Sequence, residues 1–338
     1  MHLLTRHHLP RFRLGRVIAF VLAIALVAGC TGDDASPEAD PSSGDAVELY
    51  AEVASADVVA GDQERLLVGL LQQPENLFLA FGEVEMTLSY LGTEEEPTEP
   101  EPLGETTGRF IPTPGGPDDP SRGAALVPPS EGRGVYQAEA VFADPGFWQV
   151  DVTARLDDGR AATGSAAFPV IPKAQLPAVG DDALRTENHV LGEKGFPLGG
   201  LDSRADALGE VPDRALHEWT IAGAVDDGVP ALVSFATPAY CQSQFCGPVI
   251  DEIEDLQRRF GDRAAFIHVE IWRDFEKQVL NQAAADWLYR NDTLTEPWLF
   301  LIDAKGAIVD RWGALFDPAE VEAALERLPK LPAGTRPA

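Results

Sequence analysis

The sequence predicts two folded domains, an all-β sandwich followed by an α/β domain. Three observations carry this. Residues 46–172 alternate apolar and polar side chains with a period of two, broken by Gly, Pro and Asp turns. From about His217 onward, short apolar runs alternate with stretches of helical spacing. Between them, residues 173–215 are rich in Pro, Gly and Asp and show no clear period, as expected of a linker. A chain of 338 residues is long enough for two domains.

Composition narrows the function classes. With 45% apolar residues the chain is not wholly disordered. The 55 acidic against 26 basic residues give a net charge of −29. That excludes nucleic-acid binding, because phosphate recognition needs clustered Lys and Arg. Three cysteines, at 30, 241 and 246, are too few for a disulfide scaffold.

Residues 1–29 read as a signal peptide. Arg6, Arg11, Arg13 and Arg16 precede an apolar run, 17–29, that is too short to span a hydrocarbon core of about 30 Å. The run ends Val27-Ala28-Gly29-Cys30, which resembles a bacterial lipobox. The resemblance implies a lipoprotein acylated at Cys30, with palmitate among its acyl chains. An acidic, Ser/Pro-rich tether, 30–45, follows. The expected location is the extracytoplasmic face of the cell membrane, held there by the lipid anchor.

In residues 46–172, Val47, Leu49, Ala51 and Val53 alternate with Glu48, Tyr50 and Glu52. Trp148, Val150, Val152 and Ala154 alternate with Gln149, Asp151 and Thr153. This predicts a small antiparallel sandwich. The stretch 134–152, with Asp144-Pro145-Gly146 as its turn, resembles a hairpin of bacterial immunoglobulin-like domains. Between Thr93 and Arg133 lie nine prolines and the glutamates 94, 95, 96, 99 and 101, which predict a long extended surface loop.

In the C-terminal domain, 216–330, residues 230–236 read as a buried strand. Val249, Ile250, Ile253, Leu256 and Phe260 fall at helical spacing. Residues 264–272 read as strand, 274–289 as helix, and 297–302 with 307–312 as a hairpin. Asp317-Pro318-Ala319-Glu320 supplies an N-cap, a proline at N1 and an acid at N3 for a last helix.

The strand at 230–237, Cys241 and Cys246 after it, and Thr295-Glu296-Pro297-Trp298 ahead of the hairpin resemble the thioredoxin-like superfamily. The resemblance covers about 120 residues. It implies an α/β thioredoxin-like domain, a cis proline at Pro297, and catalytic roles for Cys241, Cys246 and Pro297. Two departures stand out. The motif is Cys241-Gln-Ser-Gln-Phe-Cys246 in place of Cys-x-x-Cys. The acid common in the family strand is replaced by Ser234 or Phe235.

The spacing has a geometric consequence. Residues five apart in an ideal helix have Cα atoms about 8–9 Å apart, beyond disulfide reach. A bridge between Cys241 and Cys246 therefore requires a non-helical turn. Gly247-Pro248 predicts regular helix only from near Pro248.

The function implied by the resemblance is a redox-active disulfide, in a membrane-anchored thiol–disulfide oxidoreductase. Cys241 attacks from a helix start and Cys246 resolves. No Lys or Arg lies between Arg214 and Arg258, and only His217 offers a cation there, so a modest thiolate shift and a reducing poise are expected. Glu296 would oppose the thiolate if close. The partners are protein thiol or disulfide clients and a membrane electron donor. No cofactor and no metal is expected. Three alternatives remain. One is a thiol peroxidase, with Pro238 where that family has Thr. The second is a copper chaperone, for which His268 is the one histidine after Cys246. The third is a non-catalytic binding module with a structural disulfide.

Overall fold

The computed structural model describes residues 46–241 and 245–336. Its first half is built from nine strands: β1 (Val47–Val53), β2 (Gln63–Gln72), β3 (Leu77–Ala80), β4 (Glu83–Gly92), β5 (Pro97–Pro112), β6 (Ala125–Val127), β7 (Gly134–Val141), β8 (Gly146–Arg155) and β9 (Ala161–Val170). They form one sheet in the order β1-β9-β8-β4-β5-β7-β2-β3-β6. β1 also pairs with β2, antiparallel, with Ala51 opposite Leu70. That pairing closes seven strands into a barrel, leaving β3 and β6 as a flap beyond β2. All barrel pairs are antiparallel except β1 with β9. Inward residues such as Leu49, Val68, Met86, Tyr136, Phe142, Trp148, Val150 and Phe168 fill the core.

The expected immunoglobulin-like sandwich is therefore corrected to a closed barrel. Both arrangements need the same period-two alternation. They differ in which strand edges pair, and local sequence does not encode that. The proline-rich stretch is also more ordered than expected, because β5 covers much of it. β5 pairs with β4 along its length, but with β7 only from Arg109 to Pro112. Pro100 and Pro102 lie where the other edge is open, so their missing N–H groups leave most of the ladder intact.

The second half contains the helices α1 (Ala205–Leu208), α2 (Ile221–Asp226), α3 (Cys246–Phe260), α4 (Gln282–Leu288) and α5 (Pro318–Glu326). Its strands are β10 (Ala231–Ala236), β11 (Ala265–Glu270), β12 (Trp272–Asp274), β13 (Val279–Leu280), β14 (Trp298–Ile302) and β15 (Ile308–Gly313). Four of them form a mixed sheet in the order β11-β10-β14-β15, parallel only between β10 and β11. α3 and α5 bury Val249, Ile253 and Val321 on one face against Leu232 and Leu299. α2 and α4 bury Ile221 and Trp287 on the other against Val233, Phe235 and Phe300. The helix expected at 274–289 is instead the β12–β13 hairpin followed by α4. Gln278 takes a left-handed φ of 56° in the turn, and the Asn281 side chain caps α4.

Residues 173–215 pack onto this sheet. Leu176 and Ala183 join the α2–α4 side of the core, and Asp182 bridges to Ala307. Leu201, Ala205 and Val211 form a small cluster with Leu191 and Phe196.

These observations correct the fold class and the family identification. Over its described residues the protein is mostly β, only 17% helical, and organised around a closed seven-stranded barrel. That does not fit an α/β thioredoxin-like domain, so the thioredoxin-like oxidoreductase family is withdrawn with it. The resemblance rested on a strand, two cysteines and a proline segment. Such a short string of local features is compatible with many architectures. The signal-peptide, tether and Cys30-lipidation expectations fall on residues 1–45, outside the described residues, and no finding identifies a lipoprotein. Among the described residues, no helix is long and apolar enough to cross a membrane.

Candidate functional site

Strand β10 is buried along its whole length, as its apolar run requires, and delivers Thr237-Pro238-Ala239-Tyr240-Cys241 at its C-terminal end. Cys241 and Cys246 are joined in a disulfide, with Cα atoms 5.9 Å apart. That separation lies inside the usual disulfide range and is shorter than regular helix allows. Cys246 is the first residue of α3, with Gly247 and Pro248 following in the first turn, where a missing N–H costs nothing. The helix thus begins two residues earlier than expected, and it is Cys246 that holds its start. Cys246 is fully buried, whereas Cys241 is partly exposed.

Cys241 opens into a groove of about 1050 Å³ between the barrel and the mixed sheet. The barrel supplies Tyr50, Val53, Leu70 and Phe78 to one wall. The other wall carries Tyr240, Trp272, Phe275, Glu296, Pro297 and Trp298. The Tyr240 and Phe275 rings stack at 4.0 Å, and the Tyr240 hydroxyl donates to Asp206 at 2.8 Å. The Glu296–Pro297 peptide is cis, and Pro297 is buried beside the groove.

Glu296 is the acid of the site. Its carboxyl can approach both sulfurs, with one oxygen and the two Sγ atoms all within 4.8 Å of one another. Its Oε2 accepts the Thr237 backbone N–H at 2.9 Å. Burial pushes its pKa up to about 8, and Glu270 adds to the rise against that hydrogen bond. At neutral pH it therefore carries a proton.

Behind the cysteine turn lies a buried polar layer. The Ser203 hydroxyl accepts the Ala239 N–H at 3.0 Å, and the Ser203 N–H donates to Glu270 at 2.8 Å. Burial raises the pKa of Glu270. Asp202, His217 and His268 complete this layer and are fully enclosed. His268 Nε2 donates to the Ala236 carbonyl at 3.0 Å, and its Nδ1 faces Asp202. It stands with Asp202 and His217, not among the groups that converge on the disulfide.

The structure thus brings Cys241 and Pro297 to one groove, with Cys246 bonded to Cys241 and buried behind it. Sequence reading named Glu296 only as an opposing charge, and it missed Ser203, Asp202 and Glu270. The signal was weak: Glu270 and His268 sit two apart on a strand whose neighbours are all apolar. No family model matches the chain, and neither a curated protein nor a solved structure does.

Proposed function

We propose that Cys241–Cys246 is a redox-active disulfide that exchanges with thiols of a protein client lying in the groove. One observation carries the reading: an accessible sulfur and a buried sulfur share a bond beside a protonated carboxyl.

The step follows from access. A client thiolate attacks Cys241 Sγ, the sulfur nearer solvent. A client–Cys241 bond forms, the Cys241–Cys246 bond breaks, and its electron pair leaves on Cys246. Cys246 heads α3, a helix of 15 residues, so unpaired N–H groups stabilise the leaving thiolate. Glu296 then gives that thiolate a proton. A second client thiol attacks the mixed disulfide at the client sulfur, releasing an oxidised client and the Cys241 thiol. The reverse sequence reduces a client disulfide, with Cys241 attacking and Cys246 resolving.

The test is trapping. Cys246→Ser accumulates mixed disulfides through Cys241, and Cys241→Ser traps none. The wild type also catalyses insulin reduction by dithiothreitol. Absence of trapping in both variants together with absence of insulin reduction assigns the bridge a structural role instead.

A further inference from the structure

We infer that Asp202, His217 and His268 form a structural site for a divalent transition-metal ion of the zinc class. All three side chains have no exposed surface. One Asp202 oxygen lies 3.7 Å from His217 Nε2 and 3.6 Å from His268 Nδ1, and the three ligand atoms all lie within 4.8 Å of one another. The two Asp–His distances are too long for hydrogen bonds and suit the edges of a coordination polyhedron. A point equidistant from three such atoms lies about 2.0–2.4 Å from each, close to zinc–nitrogen and zinc–oxygen bond lengths.

The hydrogen-bond inventory points the same way. The Ala236 carbonyl can only accept, so His268 Nε2 carries the hydrogen between them. In neutral imidazole that leaves Nδ1 as a lone pair, buried, without a hydrogen-bond partner, and facing a carboxylate oxygen. His217 has no hydrogen-bond partner at either ring nitrogen. Two buried imidazoles with unmet ring nitrogens thus face one carboxylate oxygen, and a cation bound through their lone pairs satisfies all three. The Nε2–H···O=C bond is also the second contact that metal-bound histidines ordinarily make, fixing tautomer and ring orientation.

Arg204 Nη2 already donates to the Asp202 oxygen that faces both histidines, and leaves it a lone pair for one further partner. Its guanidinium holds Asp202 through Nη2 at 2.7 Å and Nε at 3.0 Å, and its backbone N–H adds 2.9 Å. It is shared with Glu254 at 2.9 Å. It orients the carboxylate, whose oxygens have lone pairs for a second partner. The ion would tie three separate segments: the loop carrying Asp202 and Ser203, the 3₁₀ turn Arg214–His217, and β11. Through Ser203 it would brace the turn that presents Cys241.

The probes are Zn²⁺ and Co²⁺, loaded onto the oxidised full chain and followed by dialysis. We expect one ion per chain by elemental analysis, a higher melting temperature, and cobalt d–d bands without sulfur-to-metal charge transfer. The Cys241→Ser/Cys246→Ser double variant keeps the ion. His217→Gln and His268→Gln lower affinity by more than about 100-fold, beyond what second-contact changes cost, and abolish the thermal shift. Three results overturn the site. The first is a wild type that retains no ion and shows no thermal shift. The second is unchanged stoichiometry in both histidine variants. The third is loss of the ion in the cysteine double variant, which would place it at the cysteines and Glu296. If the histidine variants do not fold, the cobalt spectrum and thermal shift of the wild type decide alone.

Discussion

Arg311 of β15 reaches across to Asp57, in the loop between β1 and β2, and pairs with it at 2.7 Å with both side chains almost enclosed. Asp57 also accepts the backbone N–H groups of Gln175 and Leu176. One carboxylate thus joins the barrel, the connecting segment and the mixed sheet. Removing it leaves a mostly buried guanidinium without its carboxylate, held only by the Pro177 and Asp57 carbonyls. Asp57→Ala is expected to cost about 3–5 kcal/mol in urea unfolding. Asp158→Ala, at the exposed pair with Arg160, leaves the midpoint unchanged. Equal effects of the two would refute a buried latch.

Glu296 makes stability depend on pH in a defined direction. Its ordinary value is 4.5 and its folded value about 8, so the folded chain holds a proton that the unfolded chain has released. The unfolded state then binds fewer protons, and stability falls as pH rises between these values. Below about pH 4.5 both states are protonated and the effect vanishes. Glu296→Gln should flatten this part of the wild-type curve, measured by urea midpoints from about pH 5 to pH 8. A wild type and variant with parallel curves would argue against the raised carboxyl.

The same substitution tests the chemistry. An amide at position 296 has no proton to give, so Cys246 departs as an unassisted thiolate. The exchange rate at neutral pH is expected to fall about 10²-fold, the low end of general-acid contributions. Above about pH 8 the wild type loses its own proton, and the gap between the two should narrow. Stopped-flow thiol exchange across pH reads both.

Asp317 performs two tasks at the start of α5. Its side chain accepts the Ala319 N–H at 2.9 Å as the N-cap, and it pairs with Arg109 of the barrel at 2.7 Å. Asp317→Ala should cost about 1–2 kcal/mol, and Asp317→Asn less, since the amide oxygen still caps the helix. Calorimetry on the two variants separates the cap from the ion pair.

In the barrel core, the fully buried Tyr136 hydroxyl donates to the Phe81 carbonyl at 2.6 Å. Tyr136→Phe keeps the ring and orphans that carbonyl. The expected loss is about 1–3 kcal/mol in unfolding free energy. A neutral outcome would mean that the carbonyl finds another donor.

What the chain determined by itself was local. Alternation at Val47–Val53 and Gly146–Arg155 marked two strands, because one face of each is buried and the other wet. Asp317-Pro318 marked the start of α5, because caps are satisfied within a few residues. The spacing of Cys241 and Cys246 required a break in helix, and the helix indeed starts only at Cys246. The tertiary structure decided everything that depends on pairing across the chain. β1 closes the barrel by meeting β2 and β9 at opposite edges, which no stretch of alternation encodes. β5 is a strand despite its prolines, because one of its edges has no neighbour there. Glu296 became an acid beside the sulfurs, and Asp202, His217 and His268 became neighbours, only when separate segments were packed together. Burial and charge proximity create those properties, and both are set by contacts between residues that are distant in sequence.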